Sequence, residues 1–403
     1  MRTEYNILKL AIASSLIVLS ACNLTPNLDM VGMFYGQSPR NNVRFEQSLR
    51  YNEEHSVCRT LSLPADEYKV YVATEWYDEN EFELDSKVTR VHVGLREEDD
   101  KKSRVTKFFL RIKYLKEFVA EHKPDVLVAF AHRANYRALM AAGNSKMPVV
   151  ISIRIDPVGN YDAFFDKIQI KWLFPKAAGC VFQTAEQKEF FKPYLQDNST
   201  IIINPINPKY FGVERSKNPE KAVVHHARLV DFKNQPMLCR AFLKVHEKHP
   251  DYVLRIYGPD SFDGTKEILE KIIAANKAES FIFLMGASDN LEKEIPKGEV
   301  YAYSSDYEGM PNSLLEAMAM KMPVVATDCP CGGPRAVIQN GVNGILVPIK
   351  DEDALAEGIN RLIEDKELAD RMGEEAGKIE EKANVDAIFA QWRDYLESIY
   401  VRN

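Results

Sequence analysis

Two carboxylates stand out from the other acids of this chain because of what lies between them. Glu308 sits in a polar turn, Asp306-Tyr307-Glu308-Gly309, and Glu316 follows with seven residues between, inside a helical run that begins near Asn312-Ser313. The run before the turn, ending in Ser304-Ser305, is apolar, and Pro323-Val324-Val325-Ala326 after the helix is apolar and β-branched. The order strand, loop, helix, strand is one turn of a parallel α/β sheet. Loops outside the carboxyl ends of such strands are where open α/β sheets bind ligands. The backbone N–H groups of Asn312, Ser313 and Leu314 point out of the helix start, the arrangement that receives an anion. Two readings stand for the acids. They flank a ligand, or Ser313-x-x-Glu316 is a capping box that ties off the helix while Glu308 is a solvated loop acid.

The longer stretch carries more. Glu308-Gly309-Met310-Pro311-Asn312-Ser313-Leu314-Leu315-Glu316 is followed by PVVATD and then by Gly341-Val342-Asn343-Gly344-Ile345-Leu346-Val347. This run resembles the donor-site motif of the retaining family-four glycosyltransferases. The resemblance implies an α/β protein of GT-B type, two Rossmann-like domains facing across a cleft. It implies that Glu308 and Glu316 contact a nucleotide-sugar, with Gly309, Met310, Asn312 and Ser313 around it. Arg228-Leu229-Val230-Asp231-Phe232-Lys233, after the apolar Val223-Val224-His225-His226-Ala227, is similar to the family's basic loop. That similarity gives Arg228 and Lys233 the donor diphosphate. A departing nucleoside diphosphate builds negative charge, which two fixed cations and a helix start stabilise without metal. No metal or other cofactor is therefore expected beyond the nucleotide-sugar, a UDP-sugar by the resemblance.

The remaining elements place these groups. Tyr252 to Gly258 and Phe281 to Gly286 read as strands ending in glycine, where a missing side chain lets backbone approach a ligand. In the first half, Val70 to Ala73, Val88 to Val93, Asp125 to Phe130, Pro148 to Arg154, Gly179 to Thr184 and Ile201 to Ile203 read as strands. His132 and Arg154 follow two of them and are acceptor-side candidates; by the resemblance Arg154 stands where relatives place a sugar-contacting histidine. The family's glycine-rich turn after the first strand is reduced here to Gly32 and Gly36, with Asn41-Asn42 soon after. Residues 104 to 122 form an amphipathic helix with Phe108, Ile112, Leu115 and Val119 on one face. Its Lys107, Arg111, Lys113 and Lys116, with Phe109 off the core stripe, suggest contact with anionic membrane. Glu97 to Lys102 reads as a solvated charge run.

The resulting division is 1–30, a signal-like segment or first strand; 31–204, an acceptor-side domain; 205–219, a linker; 220–382, a donor domain; and 383–403, a helix crossing back to the first domain. A length of 403 residues exceeds one ordinary core, and a net charge of -7 supplies no basic field for nucleic acid. Six scattered cysteines look like reduced thiols rather than a disulfide framework, and Cys329-Pro330-Cys331 is too close-set for a zinc or redox pair. Leu10 to Leu19 is too short to span a bilayer, and Leu19-Ser20-Ala21-Cys22 resembles a bacterial lipobox. A cytoplasmic protein, peripheral on the inner face of the membrane, competes with an exported lipoprotein anchored at Cys22, and Ile7 to Ile12 serves equally as a first buried strand. The function implied is transfer of a hexose or N-acetylhexosamine from a nucleotide-sugar to a glycan or lipid-linked glycan in envelope or exopolysaccharide synthesis. The alternatives are a GT-B UDP-sugar epimerase and a non-catalytic nucleotide-sugar binder with a degraded acceptor site.

Overall fold

The computed structural model describes residues 15–21, 29–33, 68–75, 88–130, 132–195 and 198–402. Gly36, Asn41-Asn42, Cys22 and the Ile7 to Ile12 stretch lie outside them. The chain divides into two compact units. One takes the described residues up to Asn204 together with Val385–Asn403, and the other is Pro205–Asn384.

The first unit is built on a sheet whose strands are β1 (Ser15–Ala21), β2 (Asp29–Met33), β3 (Tyr68–Thr74), β4 (Thr89–His92), β5 (Val126–Phe130), β6 (Val149–Ser152), β7 (Gly179–Phe182) and β8 (Ser199–Ile201). Their order is β4-β3-β1-β2-β5-β6-β7-β8. The strands are parallel except β1, which runs antiparallel to β2, β3 and β5. The stretch weighed as the end of a signal thus lies in the sheet at Ser15–Ala21. Every residue of β5 is buried, as a strand covered on both faces requires. One covering element is the helix Val385–Arg402, whose Trp392 is fully buried with its ring 5.3 Å from Phe130. Tyr395 on the same helix donates its hydroxyl to the Asn198 carbonyl at 2.5 Å.

The helix Arg104–His122 forms as its periodicity predicts, with Ser103 accepting from the Thr106 N–H as its cap. Its cations do not all face water. Lys107 is buried and donates to the Asp100 carbonyl at 2.6 Å, and Arg111 pairs with buried Glu75 at 3.2 Å. Two of its four named cations are thus held by the unit's own groups, while Lys113 and Lys116 stay exposed with Val105 and Phe109. The charge run beside it is likewise not wholly solvated. Asp99 is buried, accepts from Tyr114 at 2.9 Å and from Lys102 at 2.7 Å, and its Lys102 partner above all holds its pKa down at about 2.

The second unit is a parallel sheet of β9 (Ala222–His226), β10 (Val253–Tyr257), β11 (Ile282–Gly286), β12 (Val300–Tyr303), β13 (Val324–Thr327) and β14 (Ile345–Val347). The spatial order is β11-β10-β9-β12-β13-β14. Strand order reverses between β9 and β12, the point at which a doubly wound sheet opens a ligand crevice at its carboxyl edge. Among the described residues no helix is long and apolar enough to cross a membrane.

Candidate active site

The two strands flanking that reversal end in the residues that build the site. β9 closes on His225 and His226, and consecutive strand residues point to opposite faces. His225 places Nδ1 2.8 Å from the Ala302 carbonyl of β12, so this nitrogen carries the donated proton. Burial pushes its pKa down to about 3, against only a partial lift from that carbonyl. His226 turns the other way and sets Nε2 2.9 Å from Glu316 Oε2. Both side chains of this second pair are almost wholly closed to water. A carboxylate accepts, so the ring nitrogen donates.

Glu316 lies in the helix Asn312–Ala319, which starts after Pro311 with no side-chain cap. The capping-box reading is overturned. Proline's fixed φ already shapes the entry, Ser313 and Glu316 sit inside the helix, and the Glu316 carboxylate is committed to His226. Ser313 and Met310 are buried beside it.

The loop after β9 and the loop after β12 are joined at several points. Asn234 adopts a left-handed φ of 49° and caps the helix Gln235–Lys248 by accepting from the Met237 N–H. Its amide donates to Asp306 Oδ1 at 2.9 Å. The Asp306 N–H donates to the Phe232 carbonyl at 2.9 Å, and Ser304 Oγ donates to the Lys233 carbonyl at 2.9 Å. Phe232 and Tyr307 stack at 5.2 Å between ring centres. These contacts bring Lys233 Nζ onto Glu308 Oε1, with both side chains largely buried. Arg228 stands on the same loop, its carbonyl accepting from Gln235 Nε2 at 2.7 Å. The Gly309 carbonyl packs so closely on Gly333 that a Cβ there would meet it at 2.2 Å.

The two strand-end glycines differ. A Cβ on Gly258 would lie 1.9 Å from the Ala227 carbonyl, so this glycine makes room for the chain's own β9 loop. Gly286, with φ 73°, has open space where its side chain would be, and its carbonyl accepts from the Gly258 N–H at 2.7 Å.

His132 and Arg154 belong to the first unit and are held by different partners. His132 Nε2 lies 2.8 Å from Asp166 Oδ1, and its ring meets Tyr161 edge-on at 4.4 Å. Burial lowers its pKa, and the Asp166 charge opposes that shift. Arg154 donates to Asn204 Oδ1 at 3.1 Å and lies 5.3 Å from both the Phe130 and Trp392 rings. That cation–π seat, rather than open solvent, surrounds most of the guanidinium.

Sequence reasoning passed over His226, Asp166 and the Asn234–Asp306 link. A histidine pair at a strand end was the available signal for His226. Nothing in the order of residues joins His132 to Asp166, thirty-four positions on. Among the described residues no group of three or more His, Cys, Asp or Glu side chains is arranged to hold a metal ion. Cys180, Cys239, Cys329 and Cys331 are buried and not in disulfides.

Residues 207–379, which span this site, match the family model described as glycosyl transferases group 1. The match lies within the second unit, Pro205–Asn384. An uncharacterized glycosyltransferase of Methanocaldococcus jannaschii is 23% identical over 70% of this chain and 81% of its own length. The N-acetylgalactosamine-N,N'-diacetylbacillosaminyl-diphospho-undecaprenol 4-alpha-N-acetylgalactosaminyltransferase of Campylobacter jejuni is 28% identical over 64% of this chain and 72% of its own. Among solved structures, a mutant of S. aureus TarM, in complex with fondaparinux, alpha-GlcNAc-glycerol and UDP, superposes with a TM-score of 0.59 at 22% identity. That superposition covers 71% of this chain and 58% of TarM, so the chain spans less than two thirds of that protein. The fold is GT-B, two Rossmann-like units.

Proposed function

We propose that the chain moves a hexose or N-acetylhexosamine from a UDP-sugar to a glycan or lipid-linked glycan of the cell envelope, with retention at the anomeric carbon. The observation that carries this reading is the meeting of Lys233 and Glu308 at the carboxyl edge of β9 and β12, beside a helix start that no side chain caps. A buried cation and an uncapped set of N–H groups favour a phosphate, and the neighbouring acids favour sugar hydroxyls. The TarM complex contains UDP, and the name of the C. jejuni relative gives an α-linked amino sugar on a diphospho-undecaprenol acceptor.

In this reading Arg228 and Lys233 hold the diphosphate. Donor binding replaces Glu308 by phosphate as the partner of Lys233 and releases Glu308 toward the sugar. Glu316, fixed by His226, accepts from the ribose hydroxyls, and the open face at Gly286 borders the base. Departure of UDP leaves charge on its terminal phosphate, which the two cations and the N–H groups of Asn312, Ser313 and Leu314 stabilise. Attack comes from the face the leaving group vacates, and the leaving phosphate takes the acceptor's proton. No metal is needed for that charge. His132 and Arg154 are placed on the acceptor side.

A panel of nucleotide-sugars in a thermal-shift assay, followed by product analysis with the donor that stabilises the chain, tests the reading. The expected result is a raised Tm with one UDP-sugar and net transfer with an α linkage. An isomerised UDP-sugar as sole product would overturn it.

A further inference from the structure

The helix Phe164–Leu173 of the first unit has two unlike faces and neither is polar in the ordinary way. Inward, Ile170 is buried and Asp166 reaches His132. Outward, Phe164 is 72% exposed, Phe165 75%, Ile168 41% and Trp172 69%. At about 100° per residue these four occupy an arc of roughly 100°. Val158, just before them in the chain, is also exposed. Single exposed apolar residues are normal, but four large ones on ten residues form a patch that wants a partner.

The charges beside the patch say which partner. Lys167 and Lys171 lie together along one edge of the arc, and Lys176 follows in the next turn, all three exposed. The acid of this helix, Asp166, faces inward, and exposed Asp162, 2.8 Å from Lys167, offsets one charge of the edge. A twofold contact with a second copy would press this lysine-edged face against itself. An anionic bilayer instead accepts aromatic and aliphatic groups at the acyl boundary and ammonium groups at the phosphates. The Arg104–His122 helix exposes two large apolar residues, Val105 and Phe109, against four here, and its Lys107 and Arg111 are held by Asp100 and Glu75.

We infer that the helix Phe164–Leu173 docks the protein on anionic membrane, with Phe164, Phe165, Ile168 and Trp172 at the acyl boundary and Lys167 and Lys171 on lipid phosphates. A consequence follows for the acceptor, and it rests on the acceptor-side reading of His132. Asp166 projects from the reverse of the docked helix, so His132 is held within about one helix diameter, roughly 10–12 Å, of the headgroups. An acceptor met there is anchored in lipid.

The full chain is mixed with vesicles of phosphatidylglycerol and phosphatidylethanolamine, with phosphatidylcholine vesicles as reference, and floated. Wild type is expected with the anionic vesicles, with Trp172 emission shifted to the blue and quenched by brominated lipid. F165S/W172S should lower the bound fraction at least about tenfold. K167E/K171E should remove the preference for anionic lipid, and D166N should float as wild type. The UDP-induced rise in Tm, a property of the second unit, should be unchanged in every variant, which separates failure of docking from failure of the donor reading. Equal flotation of F165S/W172S and wild type would overturn the inference. So would a dimer that F165S/W172S renders monomeric without any vesicle binding, since the face would then belong to a second copy.

Discussion

His226 Nε2 stands 2.9 Å from Glu316 Oε2, and the two side chains are sealed from water at the reversal point of the second sheet. The contact joins the end of β9 to the helix after β12, and so fixes both walls of the candidate donor site. Replacing His226 with leucine leaves a buried carboxylate short of a donor, and should cost roughly 1–3 kcal/mol in urea unfolding. H226Q keeps a donor and should recover most of that loss. Both variants should weaken UDP binding by calorimetry, H226L the more. Unchanged affinity in H226L would separate Glu316 from the ligand.

Lys233 and Glu308 form the second join, and their variants should separate binding from turnover. K233A removes charge from the diphosphate site and is expected to lower kcat by about 10²–10³. E308Q frees Lys233 from its carboxylate without removing the side chain's hydrogen-bonding capacity. It should bind UDP at least as tightly as wild type while losing sugar transfer. Looser UDP binding in E308Q would contradict the exchange of partners set out above.

His225 gives the stability of the protein a pH dependence of known sign. Its folded-state pKa is depressed to about 3 from 6.5, because the imidazole is buried. The unfolded chain therefore takes up a proton below pH 6.5 that the folded chain refuses. Stability is full above that value and falls as pH drops from 6.5 toward 3, by at most about 1.4 kcal/mol per pH unit for this group. H225N can keep the donor to Ala302 without titrating. Urea unfolding at pH 7.5 and pH 5 should show a smaller difference in H225N than in wild type.

The glycines of the second unit should respond unequally to alanine. G258A forces a Cβ onto the Ala227 carbonyl and should cost about 3 kcal/mol, whereas G286A meets open space and should cost only the left-handed φ, about 1 kcal/mol. G333A presses on the Gly309 carbonyl, next to Glu308 in the chain. It should lower transfer activity more than thermal stability. Thermal melts and initial rates on the three variants check this.

Much of this arrangement is legible in the sequence because apolar runs and turn residues are local signals. The strands of the second unit and the helix at Asn312–Ala319 stand where the pattern places them. The resemblance singled out Lys233 and Glu308, but a sequence has no way to show that they touch. That contact depends on Asn234, Asp306, Ser304 and Phe232 holding together two loops far apart in the chain. The capping-box signature at Ser313 and Glu316 misled because the helix is entered two residues earlier, at Pro311, and His226 takes the acid. The same limit applies to the membrane-facing helix. Periodicity identified Arg104–His122 as basic and amphipathic, yet buried Glu75 and the Asp100 backbone take up two of its cations, Arg111 and Lys107. Lys321 shows a case in between. Its left-handed φ of 57° is a conformation that favours glycine. Lys321 Nζ reaches Glu374 at 2.7 Å, a contact no glycine could make.

Trp392 fills the first unit's core against Phe130, although the whole second unit is translated between those two residues. On the ribosome, the first sheet must therefore wait with a hydrophobic gap while its neighbour emerges and folds. A nascent chain paused before residue 385 offers that gap to chaperones, and the order of synthesis makes the second unit the first to mature.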